Sequence, residues 1–274
     1  MEKIGYLGPE GSYSSLAAAR LRPNAELKDY QSFPLVFASL VNGETDGIAV
    51  PIENSLNGGV LQNMDLLQAT DGVYASAEIT IKIDHRLAYL KGADLRGITR
   101  IYSHGQALAQ CADFLYENFP SASLIHTPST AAGLSMVKTL SDACIVGAHT
   151  EKEGFALSPE NIADADNNHT RFLLIKRGEV SENARSQRIY FSVTSLNKSG
   201  ALLSLLQIVS DHGLNMTKIE SRPVKTAAEE YRFFIEIEGD YSSQEVKAAL
   251  AHVRNSAKSF KLLGAYSEQN EKTD

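Results

Sequence analysis

The sequence predicts an α/β chain in two parts, a bilobal α/β unit followed by a smaller βαββαβ unit. Three observations carry this. Up to residue 175, short apolar runs alternate with segments of helical period, the rhythm of mostly parallel sheets covered by helices. A long stretch rich in β-formers, VYASAEITIKIDHRLAYL at 73–90, interrupts that rhythm and suits strands that leave one sheet for another. After a charged segment, KRGEVSENARS at 176–186, the order becomes strand, helix, strand, strand, helix, strand.

Taken in order, 4–7 reads as a strand and 14–21 as a helix. Residues 33–41 form a second helix, with Ser32 as N-cap and Pro34 in the first turn, where its missing N–H has no partner to lose. DGIAVP (46–51) is a short buried strand and 60–69 a helix. A second alternating block follows: strand 98–103, helix 106–118, strand 123–126, helix 131–139 capped by Ser129 or Thr130, and strand 143–146. Residues 161–170 are polar and irregular, and 172–175 is an apolar strand that returns to the first sheet. The lobes so defined are 1–76 with 165–180, and 77–164, with a cleft between them, a common place for small-molecule sites. Residues 176–186 read as a linker to a second unit at 187–267. That unit has strands at 189–195, 215–220, 231–238 and 260–263, and helices at 200–211 and 243–253, the ferredoxin-like split. The tail at 268–274 is expected to fray.

Composition narrows the function classes. The 274 residues suggest two domains, and 43% hydrophobic with 22% charged residues fits a globular chain. The net charge is -7, and the acidic surplus lies wholly before residue 188. No basic footprint for nucleic acid exists. Cys111 and Cys144 lie in apolar surroundings and read as buried reduced thiols. No Cys/His spacing suggests a metal. The N-terminus lacks an apolar signal segment and no apolar run reaches membrane-spanning length, so a cytoplasmic protein without a membrane partner is expected.

Four blocks in the first unit place polar side chains at strand ends, where ligands bind in open α/β sheets. GPEGSYS (8–14) follows the first strand; its glycines permit a tight turn and Ser12 stands at a helix start, which serves an anion or simply caps a βα turn. PIENSLNGG (51–59) presents Glu53, Asn54 and Ser55 after the DGIAVP strand. Ser103-His104-Gly105-Gln106 ends another strand, with Gln110 one helical turn beyond Gln106. His104 beside this turn is read as structural. Thr170-Arg171-Phe172 opens the apolar run TRFLLI straight after NIADADNNH, delivering a hydroxyl, a cation and a ring at one junction. In the second unit Gly200-Ala201-Leu202 opens a helix, Leu214-Asn215 forms the turn after it, and Glu220-Ser221-Arg222-Pro223 ends a strand.

Together these blocks resemble monofunctional prephenate dehydratases that carry a C-terminal ACT regulatory domain. Ser12 stands where that family usually has Thr, and Gly105 where it usually has Pro. The resemblance implies a bilobal catalytic domain at 1–180 similar to the type 2 periplasmic-binding-protein fold, and an ACT domain at 187–267. It implies conversion of prephenate to phenylpyruvate, CO₂ and water without a cofactor or metal, and feedback regulation by L-phenylalanine in a homodimer or homotetramer. The residues it points to for catalysis are Thr170, Glu53, Asn54, Ser55, Ser103 and Gln110. Thr170 assists the leaving hydroxyl, and Glu53 is its proton source if burial keeps it protonated. Ser12, Arg171 and Phe172 fall to substrate binding, although strand alternation turns Arg171 away from Thr170 and Phe172 and favours a structural role. Gly200, Ala201, Leu202, Leu214, Asn215, Glu220, Ser221 and Arg222 fall to the effector, bound between the ACT domains of two subunits. Two rival readings stay open: an arogenate dehydratase, and a two-lobed small-molecule sensor without catalysis. The second unit also reads as a dimerisation module only.

Overall fold

The computed structural model describes residues 1–195, 198–224 and 230–269. The loop expected between residues 220 and 231, and the tail, fall partly outside them. The elements are β1 (Lys3–Leu7), α1 (Tyr13–Leu21), β2 (Glu26–Tyr30), α2 (Phe33–Val41), β3 (Gly47–Asn54), β4 (Gly58–Gly59), α3 (Leu61–Ala69), β5 (Val73–Lys82), β6 (His85–Leu90), β7 (Arg100–Ser103), α4 (Gly105–Ala109), α5 (Ala112–Asn118), β8 (Ser123–His126), α6 (Thr130–Met136), β9 (Asp142–Gly147), β10 (Phe155–Leu157), β11 (His169–Arg177), β12 (Arg188–Thr194), α7 (Ala201–Asp211), β13 (Met216–Pro223), β14 (Tyr231–Glu238), α8 (Gln244–Ser256) and β15 (Ser259–Tyr266).

They build two sheets. The larger runs β13-β14-β12-β15-β5-β11-β3-β1-β2, with β4 added to β3, and the smaller runs β10-β6-β9-β7-β8. The first lobe is parallel at β2-β1-β3, and β11 enters antiparallel between β3 and β5. Because β11 is flanked on both edges and covered on both faces, Phe172, Leu173, Leu174 and Ile175 are all buried, which is why TRFLLI reads as an unbroken apolar run. β5 stays in the large sheet through Lys82, and the second sheet begins at His85. The lobe boundary expected at 76/77 therefore falls inside β5, and the first crossing is at Ile83–Asp84. The alternation of YASAEITIKI continues without a break, so nothing local marks the earlier position.

Other departures have local causes. β2 was not expected, because ELKDY is an edge strand paired only with β1 and mostly exposed, so no apolar run betrays it. The helix expected at 106–118 is two helices. Its interruption at Gln110–Cys111 is fixed by Asp164: its N–H donates to the Gln110 carbonyl, and its carboxylate accepts from the N–H groups of Asp113 and Phe114. Both cysteines are buried, and burial pushes their thiols up to about 12.

The second unit has the expected βαββαβ order, but it does not stand apart. Ile189, Phe191 and Val193 of β12 pack under α7 and α8, while Tyr190, with Phe234 and Tyr266, packs with Val36, Leu40 and Met64 of the first lobe. The two units join within the larger sheet, where β15 runs parallel to β5 at Gly264↔Ala75. A Cβ on Gly264 would lie 2.6 Å from both Cβ and O of Ala75, so only glycine permits this seam. Gly264→Ala is therefore expected to destabilise the chain by about 1–3 kcal/mol through overpacking, read by denaturant unfolding. An unchanged midpoint would show that the seam yields freely. No helix among the described residues is long and apolar enough to cross a membrane.

Candidate active site

A cleft of about 500 Å³ opens between the two lobes. Its floor is built by the ends of β3 and β11, which are cross-strand neighbours: Asn54 pairs with Thr170, and Glu53 with Arg171. Alternation sends each rung to its own face of the sheet. Asn54, Thr170 and Phe172 face the cleft, whereas Glu53 and Arg171 turn toward the C-terminal unit.

Asn54 organises the floor. Its Nδ2 donates to Thr170 Oγ1 at 3.0 Å, Asn168 Oδ1 at 2.7 Å and the His169 carbonyl at 3.1 Å. Its Oδ1 accepts from the N–H groups of Leu56 and Asn57 and from Asn57 Nδ2. Since Thr170 Oγ1 accepts from Asn54, its own hydrogen points elsewhere, and no acceptor meets it among the described residues. Asn168 is buried, and its Nδ2 has no partner. The opposite wall carries Gln110, whose Oε1 meets His85 Nε2 at 2.9 Å. Burial holds His85 and His149, which also line the cleft, below the usual imidazole range, so both are neutral at neutral pH. No Asp, Glu, Lys or Arg lines the cleft among the described residues.

The other expected site residues sit elsewhere. Ser12 borders the cleft, but its hydroxyl is engaged as the α1 cap, accepting from Ser15 N and donating to the Leu7 carbonyl. Ser55 ties down the strand before Thr170: its Oγ donates to the Asn167 carbonyl and accepts from His169 N. Ser103 is fully buried and donates to the Ile145 carbonyl, away from the cleft. Glu53 pairs with Arg171 and with Lys218 Nζ on the far face, where it has no path to the Thr170 hydroxyl. Arg171 likewise meets Glu53, Glu78 and Glu236, not the cleft. Sequence reading missed Asn168, His85, His149 and Tyr13. Tyr13, next to Ser12 in the GPEGSYS block, and Asn168, two residues before Thr170 in an irregular polar stretch, offered a signal, and the two histidines did not.

A model of the prephenate dehydratase family matches residues 4–180. The chain belongs to the prephenate dehydratase family. The bifunctional chorismate mutase/prephenate dehydratase of Neisseria gonorrhoeae is 34% identical over 270 residues, covering 96% of this chain and 74% of that protein. The crystal structure of the prephenate dehydratase from Arthrobacter aurescens in complex with L-Phe has a TM-score of 0.86 at 28% identity, covering 97% of this chain and 90% of that one. A solved chain described as GqqA, a novel type of quorum quenching acylase, has a TM-score of 0.87 at 25% identity and covers 98% of each chain. One fold thus carries two described chemistries, so the cleft residues and the family match decide the reading, not the fold.

In this prephenate dehydratase family member the C-terminal unit has a pocket of its own. Leu214 and Asn215 line a cavity of about 450 Å³ at the turn after α7. Gly200, Ala201 and Leu202 lie at the opposite end of that helix. Glu220 and Arg222 are not in this pocket either: they face the first lobe, where Arg222 Nη2 meets Asp65 at 2.6 Å and Glu220 lies beside Gly59. Ser221 is exposed. Within one chain, then, the expected effector residues fall into three separate places, because a βαββαβ unit spreads its loop ends and its strand faces apart.

The junction between the parts is ionic and buried. Burial opposes ionisation of Glu236, but its pairing with Arg171 outweighs this and lowers it from 4.5 to about 2. A depressed carboxylate stabilises the fold above its unfolded value and loses that contribution as pH falls through the folded one. Burial raises Glu78, whose contribution has the opposite sign and is lost as pH rises through its folded value. Stability is therefore expected to fall between pH 4.5 and about 2, and Glu236→Gln to flatten that limb of a plot of Tm against pH. An acid limb identical in both proteins would contradict the assignment.

Proposed function

We propose that the cleft converts prephenate to phenylpyruvate, CO₂ and water. The observation that carries this is the Thr170 hydroxyl, which accepts from Asn54 and so presents its hydrogen to the cleft. When the ring carboxylate leaves as CO₂, its bonding pair enters the ring and expels the hydroxyl group from the far side, and the ring becomes aromatic. The departing hydroxide takes up one proton, so the dianion yields the phenylpyruvate monoanion, CO₂ and water. A threonine hydroxyl is too weak an acid to provide that proton, so Thr170 acts as hydrogen-bond donor to the leaving oxygen, and the hydroxide takes its proton from solvent as it is released. Asn54 orients it. Phe172 keeps the floor dry, which favours conversion of a carboxylate to uncharged CO₂.

The two substrate carboxylates meet neutral donors: the Gln110 and Asn168 amides and the N–H groups at the start of α1, beside Ser12. A cleft without carboxylate side chains suits the dianion prephenate better than arogenate, whose ammonium group would have no anionic partner. We further assign residues 1–180 to catalysis and 187–267 to an ACT regulatory domain that binds L-phenylalanine. Two subunits bring the Leu214-Asn215 turn of one to the Gly200-Ala201-Leu202 end of the other, and Glu220 and Arg222 report occupancy to the first lobe. The test is turnover of prephenate and of arogenate in parallel, with and without L-phenylalanine. Faster turnover of prephenate, suppressed by L-phenylalanine, is expected. Faster turnover of arogenate would overturn the substrate assignment, and indifference to L-phenylalanine would reduce the second unit to assembly.

A further inference from the structure

Arg171 directly follows Thr170, yet its guanidinium leaves the cleft and enters a buried cluster supplied mostly by the C-terminal unit. Nη1 and Nη2 donate to the two carboxylate oxygens of Glu236 at 3.2 and 2.6 Å, a bidentate pair. Glu236 is 1% exposed and also accepts from Arg188 Nη1 at 3.0 Å, Thr217 Oγ1 at 2.8 Å and the Tyr266 hydroxyl at 2.6 Å. Arg171 Nη1 further holds Glu53 at 3.0 Å, and Glu53 is held in turn by Lys218 Nζ at 3.1 Å. Glu78 sits 3.0 Å from both arginines without an aligned hydrogen bond to either.

The two residues of the cleft floor, Asn54 and Thr170, are thus each one residue from a side chain anchored by the C-terminal unit. They occupy adjacent rungs, Asn54↔Thr170 and Glu53↔Arg171, and the register shifts just after Arg171. The shift interrupts the ladder to β3, while the ladder to β5 runs unbroken from His169 to Leu174, so the Arg171 and Glu53 anchors bear on how the Asn54↔Thr170 rung sits rather than on whether β11 is held. Removing one member of such a cluster leaves a buried charge uncompensated.

We infer that Arg171 is a positioning residue for the reaction, and that Glu236 of the C-terminal unit, by clamping it, completes the floor of the cleft. The inference rests on the reading of the cleft as the dehydration site. On this basis the C-terminal unit reaches Thr170 through one peptide link and one ion pair, so a shift of β14 moves the hydroxyl that meets the leaving group.

The test uses the full chain as Glu236→Gln, Arg171→Lys, Tyr266→Phe and Arg188→Gln, each checked by thermal melting and assayed for kcat and KM with prephenate. Glu236→Gln and Arg171→Lys are expected to lower kcat about tenfold or more with KM changed less than about twofold, the signature of a misplaced catalytic group. Tyr266→Phe removes one hydrogen bond to Glu236 and lowers kcat less. Arg188→Gln also removes one hydrogen bond to Glu236, from β12, but keeps the Arg171–Glu236 pair, so it lowers Tm and lowers kcat less than Arg171→Lys does. Should Glu236→Gln fail to fold, Arg171→Lys and Tyr266→Phe decide the matter. Unchanged kcat in folded variants of an active protein, or losses that simply follow Tm with Arg188→Gln included, would overturn the inference. A wild type inactive on prephenate would instead overturn the reading beneath it.

Discussion

Thr170→Val is expected to lower kcat for prephenate by about two to four orders of magnitude, the range that a side chain positioned on the reacting group contributes. Valine keeps the branched shape and the strand preference, so β11 and its pairing with Asn54 persist. What disappears is the single hydrogen that Asn54 leaves free for the cleft. Substrate binding is carried by other groups, so KM is expected to change little, and the thermal midpoint to stay within a few degrees. A variant that keeps wild-type kcat would remove Thr170 from the mechanism, whatever its place on the floor. A fall in kcat accompanied by a collapse in Tm would instead mark a packing role.

Asn54→Asp is expected to be as damaging but to leave a different kinetic trace. The change keeps an oxygen to accept from Leu56 and Asn57, so the loop after β3 is retained. The other branch becomes an oxygen facing Thr170 Oγ1, Asn168 Oδ1 and the His169 carbonyl, all of which now accept a hydrogen from Nδ2. Thr170 must then donate to the carboxylate, and its hydrogen is lost to the leaving group. A negative charge also enters a cleft lined by no charged side chain among the described residues, against a dianionic substrate. Like charges in such a site cost several kcal/mol, so kcat/KM is expected to fall about a thousandfold with both constants affected. A variant altered in kcat alone would mean that the substrate's carboxylates lie far from Asn54.

The fold was legible where burial is complete. β3, β9 and β11 are covered on both faces, and their apolar runs show in the sequence. β2 was not legible, because an exposed edge strand needs no apolar side chains. The cleft itself was half legible. Asn54, Thr170, Phe172 and Gln110 were pointed to by the resemblance to the family, and the structure places all four on the cleft. The alternation that turned Arg171 away from Thr170 also turns Glu53 away from Asn54, its neighbour on β3. Applied to both strands, it would have placed Glu53 on the face of the sheet opposite the Thr170 hydroxyl, where the structure has it paired with Arg171 and Lys218. The partner of Arg171 was beyond reach: Glu236 lies 65 residues on, in a strand that reads as ordinary ferredoxin-like β-structure. Nor does the βαββαβ pattern reveal that its helix-free face, with Tyr190 and Phe234, packs into the core of the first lobe.

The most direct measurement is a product assay on the purified wild-type chain. Prephenate is supplied with no added metal or cofactor, and phenylpyruvate is followed by its absorbance in alkali while CO₂ is collected. Catalysed formation of one phenylpyruvate and one CO₂ per prephenate is the predicted result. A folded protein that leaves prephenate to decay at its uncatalysed rate would contradict the assignment of this cleft.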